Sequence, residues 1–105
     1  MTPHRVVTTK RADEDIVRAA AYYLEAGATE SAEGLVDALE AAIRLIAEHP
    51  SIGSPRFAVE LGISELRAVA LQRFPYLVFY TEDADAVRVH RVLHTSRDLP
   101  AEYGS

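Results

Sequence analysis

Residues 76–93 decide the fold. They read Tyr76-Leu77-Val78-Phe79-Tyr80-Thr81, then Glu82-Asp83-Ala84-Asp85-Ala86, then Val87-Arg88-Val89-His90-Arg91-Val92-Leu93. Two runs of β-branched and aromatic residues flank a short polar stretch, the chemistry of an antiparallel hairpin. The spacing predicts strands over 76–81 and 87–93, with a turn at 82–85. A third strand is expected over 66–71, joined to the hairpin by Gln72-Arg73-Phe74-Pro75. Both connections are short, so the three strands form a meander.

Upstream the period changes from two to 3.6. Ile16, Ala19, Ala20, Tyr23 and Leu24 recur at helical spacing, and Gly27 supplies a stop. Asp13, Glu14 and Asp15 fall in the first turns of that helix, where acids suit the positive end of the dipole. Leu35, Val36, Leu39, Ala42, Ile43 and Ile46 make the apolar stripe of a second helix, with Thr29 or Ser31 as its cap and Pro50 at its end. The linker between the helices is a few residues long, so they lie antiparallel. Before them, His4-Arg5-Val6-Val7-Thr8-Thr9 reads as a strand. Residues 50–63, with two Pro and two Gly, read as a loop. The tail 97–103 reads as irregular or one helical turn.

The order is β-α-α-β-β-β over one domain, 1–105. A helical hairpin packs on one face of a small, twisted, mainly antiparallel sheet to give a two-layer α+β fold. No further element is expected on the other sheet face, which would leave it open to a partner. With a four-residue turn at 82–85, strand alternation collects Tyr76, Val78, Tyr80, Val87, Val89, Arg91 and Leu93 on one face. Arg67 joins them through the first hairpin.

Composition narrows the function. The chain has 105 residues, 49% hydrophobic and 26% charged, as ordinary globular domains do. It has no Cys, which excludes disulfide scaffolds, thiolate metal sites and thiol nucleophiles and suits a cytoplasmic setting. No apolar run is long enough to cross a membrane. The net charge is −5, which disfavours general nucleic-acid binding. That charge is uneven: residues 1–65 hold 11 acids and 6 bases, whereas 66–105 hold five of each. His90 and His94 lie four apart on a strand, about 13 Å, too far to share a metal ion. No nucleotide-, phosphate- or hydrolase-type motif is present, so neither a cofactor nor a small-molecule substrate is expected.

Glu65-Leu66-Arg67, Pro75-Tyr76-Leu77-Val78-Phe79-Tyr80, Val89-His90-Arg91-Val92-Leu93-His94 and Arg97-Asp98 together resemble the ParE toxins of the RelE/ParE superfamily. Residues 19–27 resemble the first-helix signature of that family, and His49-Pro50-Ser51-Ile52-Gly53 its exit from the second helix. The resemblance implies a toxin of a bacterial type II toxin–antitoxin pair, neutralised by a cognate antitoxin and serving plasmid or chromosome maintenance. ParE-type members poison DNA gyrase; RelE-type members cut mRNA on the ribosome. For a ribonuclease the resemblance points to Arg67, His94, Arg97 and Tyr103 as charge-neutralising and acid–base groups. The lysines that such enzymes carry before the Leu-Arg strand are absent, Lys10 being the only lysine. Gyrase poisoning needs no catalytic residue, only a surface. Arg67, Arg73, Tyr76, Tyr80, Arg91, His94 and Arg97 are its expected partner-binding residues. A toxicity-free binding module is the third reading. In each case the antitoxin is expected in a groove between the helical hairpin and the sheet.

Overall fold

The computed structural model describes residues 3–96 and 98–104. Strand β1 (Val6–Thr8) leads into α1 (Lys10–Glu25) and α2 (Thr29–Glu48), followed by a 3-10 turn at Pro50–Ile52 and helix α3 (Arg56–Leu61). Strands β2 (Arg67–Ala70), β3 (Tyr76–Glu82) and β4 (Val87–His94) then precede α4 (Leu99–Gly104). The sheet order is β1-β4-β3-β2, with β1 parallel to β4 and the other pairs antiparallel. The expected α+β architecture, with a helical hairpin on the sheet, is therefore the one observed.

Local chemistry explains the element ends. The Thr9 hydroxyl caps α1 by accepting from the Ala12 N–H. After Glu25 the chain leaves the helix through Gly27 at φ +76°, a left-handed conformation natural to glycine. α2 begins without a side-chain cap, so neither Thr29 nor Ser31 plays the expected role. Its stability comes from packing. Leu35, Leu39, Ala42 and Ile46 are buried against Ala12 and Ala19 of α1 and against Tyr76, Val78, Tyr80, Val87, Val89 and Val92 of the sheet.

Three expectations are corrected. Residues 50–63 are a turn followed by α3, not a bare loop, while the tail forms α4, the helical alternative expected for it. Those two short helices cover much of the sheet face expected to be open. Phe57 of α3 lies with Leu66, Ala68, Phe79 and Leu93 in a second core, and Leu99 and Tyr103 of α4 pack on it. The β3–β4 register also differs. The turn sits at 83–86, pairing Glu82 with Val87, and a bulge leaves His90 unpaired between Tyr80↔Val89 and Phe79↔Arg91. The bulge inverts the remainder of β4, so Val92 joins Val78 on the hairpin side while Arg91 and Leu93 lie across from Phe79 and Leu77. The turn is braced by Asp83, which accepts from the Thr81 hydroxyl and pairs with Arg88. These contacts, Thr81's first, hold the Asp83 carboxyl below its ordinary range.

Two buried clasps tie the layers together. β1 pairs only with residues 87–89, so β4 would have an open edge beyond it. Asp15 fills that edge. Its carboxylate accepts from the Val92 N–H at 3.0 Å and from two guanidinium nitrogens of Arg91, at 2.7 and 3.0 Å. The same Arg91 donates to the carbonyls of Glu102 and Tyr103, so it also holds α4. Asp15 is 5% and Arg91 4% exposed. The Asp15 contact, the largest influence, raises the Arg91 pKa above its ordinary value. Asp15 is thus not simply a dipole residue, as its position in the helix suggested.

The second clasp is at Tyr80, which is fully buried. Its hydroxyl donates to the Pro50 carbonyl at 2.7 Å and accepts from the Gly53 N–H at 2.9 Å. Arg67 donates to the Ser51 and Gly53 carbonyls beside it. The turn after α2 is thereby locked to β2 and β3. Only glycine fits at 53, because a Cβ there would stand 2.6 Å from the Tyr80 hydroxyl and 2.9 Å from the Arg67 Cβ.

Asp15→Ala should cost about 3–5 kcal/mol in urea unfolding, because it strands a buried guanidinium. A loss of 1 kcal/mol or less, roughly what a helix-dipole contact supplies, would contradict the clasp. Tyr80→Phe should cost about 1–3 kcal/mol, since it leaves a buried N–H and C=O without a partner. Gly53→Ala should cost about the same by overlap; wild-type midpoints for both variants would contradict the second clasp.

Candidate functional site

The expected partner surface divides into residues that hold the fold and residues that face outward. Arg91 and Tyr80 are internal clasps, and Arg67 is half-buried with its guanidinium directed at backbone carbonyls. Arg67 does pair with Tyr80 across the first hairpin, as the alternation implied, but that face is covered by the helices. Arg91 has left it because of the bulge. Tyr76 is 8% exposed, its ring edge-on to His94 with centroids 5.1 Å apart. The His94 Nδ1 accepts from the Ser96 N–H at 3.1 Å and lies 2.7 Å from its hydroxyl, which puts the proton of the neutral ring on Nε2. Arg73 is exposed at the tip of the β2–β3 hairpin. Arg97 lies outside the described residues.

The four residues suggested for RNA cleavage do not converge where they are described. Arg67 pairs with Tyr80 and His94 with Tyr76, four residues apart along β3, a separation of about 13 Å. Tyr103 stands on the opposite face, its ring edge-on to Phe79 at 5.5 Å, and burial pushes its phenol up. A general acid and base flanking one phosphate need to lie within hydrogen-bond reach of it. Among the described residues no group of His, Cys, Asp and Glu is placed to hold a metal ion. No helix of the described residues is long and apolar enough to cross a membrane.

Two open troughs lie among the described residues. The space between the helical hairpin and the sheet, expected to receive the antitoxin, is filled by the main core. Beside it, a groove of about 690 Å³ runs between α1, the end of β4 and α4, with Arg18, Ala19, Tyr22, Tyr76 and His94 on its walls. A second groove of about 600 Å³ lies between α3, α4 and β2, with Ala68, Ala70 and Leu77 at its floor. Tyr22 is 65% exposed on the first wall, and Val17 and Leu24 of the same helix are also exposed. The first groove mixes the rings of Tyr22 and Tyr76 with the charged groups of Asp15, Arg18 and Glu102, and the second carries Arg56, Glu60 and Asp98 beside its apolar floor.

The sequence did not disclose Asp15 as a clasp residue or the Pro50–Gly53 turn as the seat of Tyr80. A period-two reading cannot register the unpaired His90. The one available signal was Arg91-Val92-Leu93, a charged residue leading an apolar pair where alternation should have continued.

Residues 6–99 match the family model described as "ParE toxin of type II toxin-antitoxin system, parDE". No curated protein matches the sequence. Among solved structures, the chain is similar to one titled "Chromosomal ParDE TA system from P. aeruginosa", with a TM-score of 0.75 and 15% sequence identity. The alignment covers 89% of this chain and 97% of that one, and at this identity it speaks for the fold. The β-α-α-β-β-β core derived above and the family match over nearly its whole length agree: the chain belongs to the ParE toxin family of type II toxin–antitoxin systems.

Proposed function

We propose that this chain is a toxin held in check by a cognate antitoxin, and that it acts in the cytoplasm by binding DNA gyrase and slowing the resealing of cleaved DNA. A poison of that kind works by differential affinity. It binds the cleaved enzyme–DNA intermediate more tightly than the resting enzyme and so shifts the population toward it. Nothing in such a mechanism requires the chain to move a proton or hold a phosphate.

The observation that carries this reading is the occupation of Arg67. In a ribonuclease that guanidinium would face the charge developing on phosphorus. Here it donates to two carbonyls of the turn after α2, and Tyr103 lies on the far side of the sheet. The family match is on the ParE side of the superfamily, which supports the same reading. The net charge of −5 favours capture of a protein surface over a grip on bare nucleic acid. The groove along α1 is where an antitoxin segment fits, with Tyr22 and Ala19 as its apolar wall and Arg18 at its rim.

Induction of the chain alone in a bacterial host should produce filamentous cells with an active DNA-damage response. Co-expression with the product of the adjacent gene should restore growth. Rapid loss of translation with cleaved mRNA would establish the ribonuclease instead, and undisturbed growth a non-toxic binding module.

A further inference from the structure

The outer side of the helical hairpin keeps apolar side chains that the core does not take. On α1, Val17 and Leu24 are 68% and 54% exposed. They stand seven residues apart, with Ala20 and Ala21 between them at the third and fourth positions, so the four line one helix face. The face that α1 turns to the core is a different one, made by Ala12, Ile16, Ala19 and Tyr23. On α2, Val36 belongs to the apolar stripe read from the sequence, yet it is 42% exposed. The two helices run antiparallel about the link at 26–28, and their equal rise per residue brings Val36 level with Val17.

The margin of this strip is acidic. Glu33, Asp37 and Glu40 flank Val36 at helical spacing, and Asp13 lies one turn before Val17; all four are exposed. Arg44 is the base that ends the row on α2. Over residues 10–48 the exposed side chains include eight acids against four bases. Two of those bases are engaged elsewhere, Arg11 with the Tyr103 carbonyl and Arg18 with Asp15. Such a margin repels a nucleic acid, an anionic lipid surface and the same face of a second copy alike. It attracts a helix with aliphatic side chains on one face and Lys or Arg beside them.

We propose that the outer side of the α1–α2 hairpin binds a basic amphipathic helix of a partner protein. Val17, Leu24 and Val36 supply the apolar contact, and Asp13, Glu33, Asp37 and Glu40 the counterions. The strip from Val17 to Leu24 is about 10 Å long, which spans two turns of such a helix. The surface is separate from the groove at Arg18 and Tyr22, which lies on the other flank of α1. It holds whether or not the chain acts on gyrase.

The probe is an 18-residue peptide with Leu at helical spacing and Lys at the positions between; its control has Glu in place of every Lys. The full chain is compared with three combined variants. One carries Val17→Gln, Leu24→Gln and Val36→Gln. The second carries Glu33→Lys, Asp37→Lys and Glu40→Lys. The third carries Leu45→Gln and Val59→Gln, two exposed apolar residues elsewhere. The wild type should bind the Leu/Lys peptide and raise its helicity by circular dichroism, and ignore the Leu/Glu peptide. The first variant should melt as the wild type does and bind roughly tenfold more weakly, the effect of removing central apolar contacts. The second should reverse the preference between the peptides, and the third should bind as the wild type. Wild-type affinity in the first variant would reduce the contact to charge attraction and overturn the inference. So would an unreversed preference in the second, or a chain that dimerises through this face and ignores both peptides.

Discussion

The carboxylate of Asp15 stands where the sheet would otherwise have an unpaired edge. β1 stops after three residues, and beyond it the backbone of β4 meets a side chain in place of a strand. Because Arg91 answers the same carboxylate and reaches on to the last carbonyls of α4, one ion pair fixes α1 alongside β4 and α4 over the second face. A buried ion pair contributes little net stability over an apolar pair of the same shape. Its effect here is geometric: two oxygens and a planar guanidinium admit one arrangement, and three elements must satisfy it together.

Much of the fold was legible because its elements obey simple periods. The stripe from Leu35 to Ile46 is unambiguous, the alternation from Tyr76 to Tyr80 equally so, and Leu71 pairs with Tyr76 as the turn length implied. Failure came where side chains answer backbone at long range. Asp15 and Arg91 are 76 residues apart, and nothing in the spacing of either announces the other. The bulge at His90 sits beside that clasp, and it reverses the faces of the rest of β4. Helix α3 was missed for a related reason. It is six residues long, below the length at which periodicity is readable.

The site was less legible than the fold, and for a physical reason. Arginine and tyrosine are the residues of interfaces, but they are also the polar residues best suited to buried clasps, since a guanidinium or a phenol can satisfy several backbone groups at once. Arg67, Tyr80 and Arg91 took the internal role. Sequence alone could not separate them from Arg73, which took the external one. What remains outside is a sparse set of contacts around two troughs, on a chain whose front half is acidic. That pattern fits the proposal of a chain that works by binding other proteins.

Binding and turnover differ in stoichiometry, and that difference is measurable. Purified, antitoxin-free chain titrated against gyrase and supercoiled plasmid should trap cleaved DNA in proportion to the toxin added, reaching a plateau once gyrase is saturated. Cleavage of ribosome-bound mRNA by far less than one chain per ribosome, with gyrase untouched, would contradict the account.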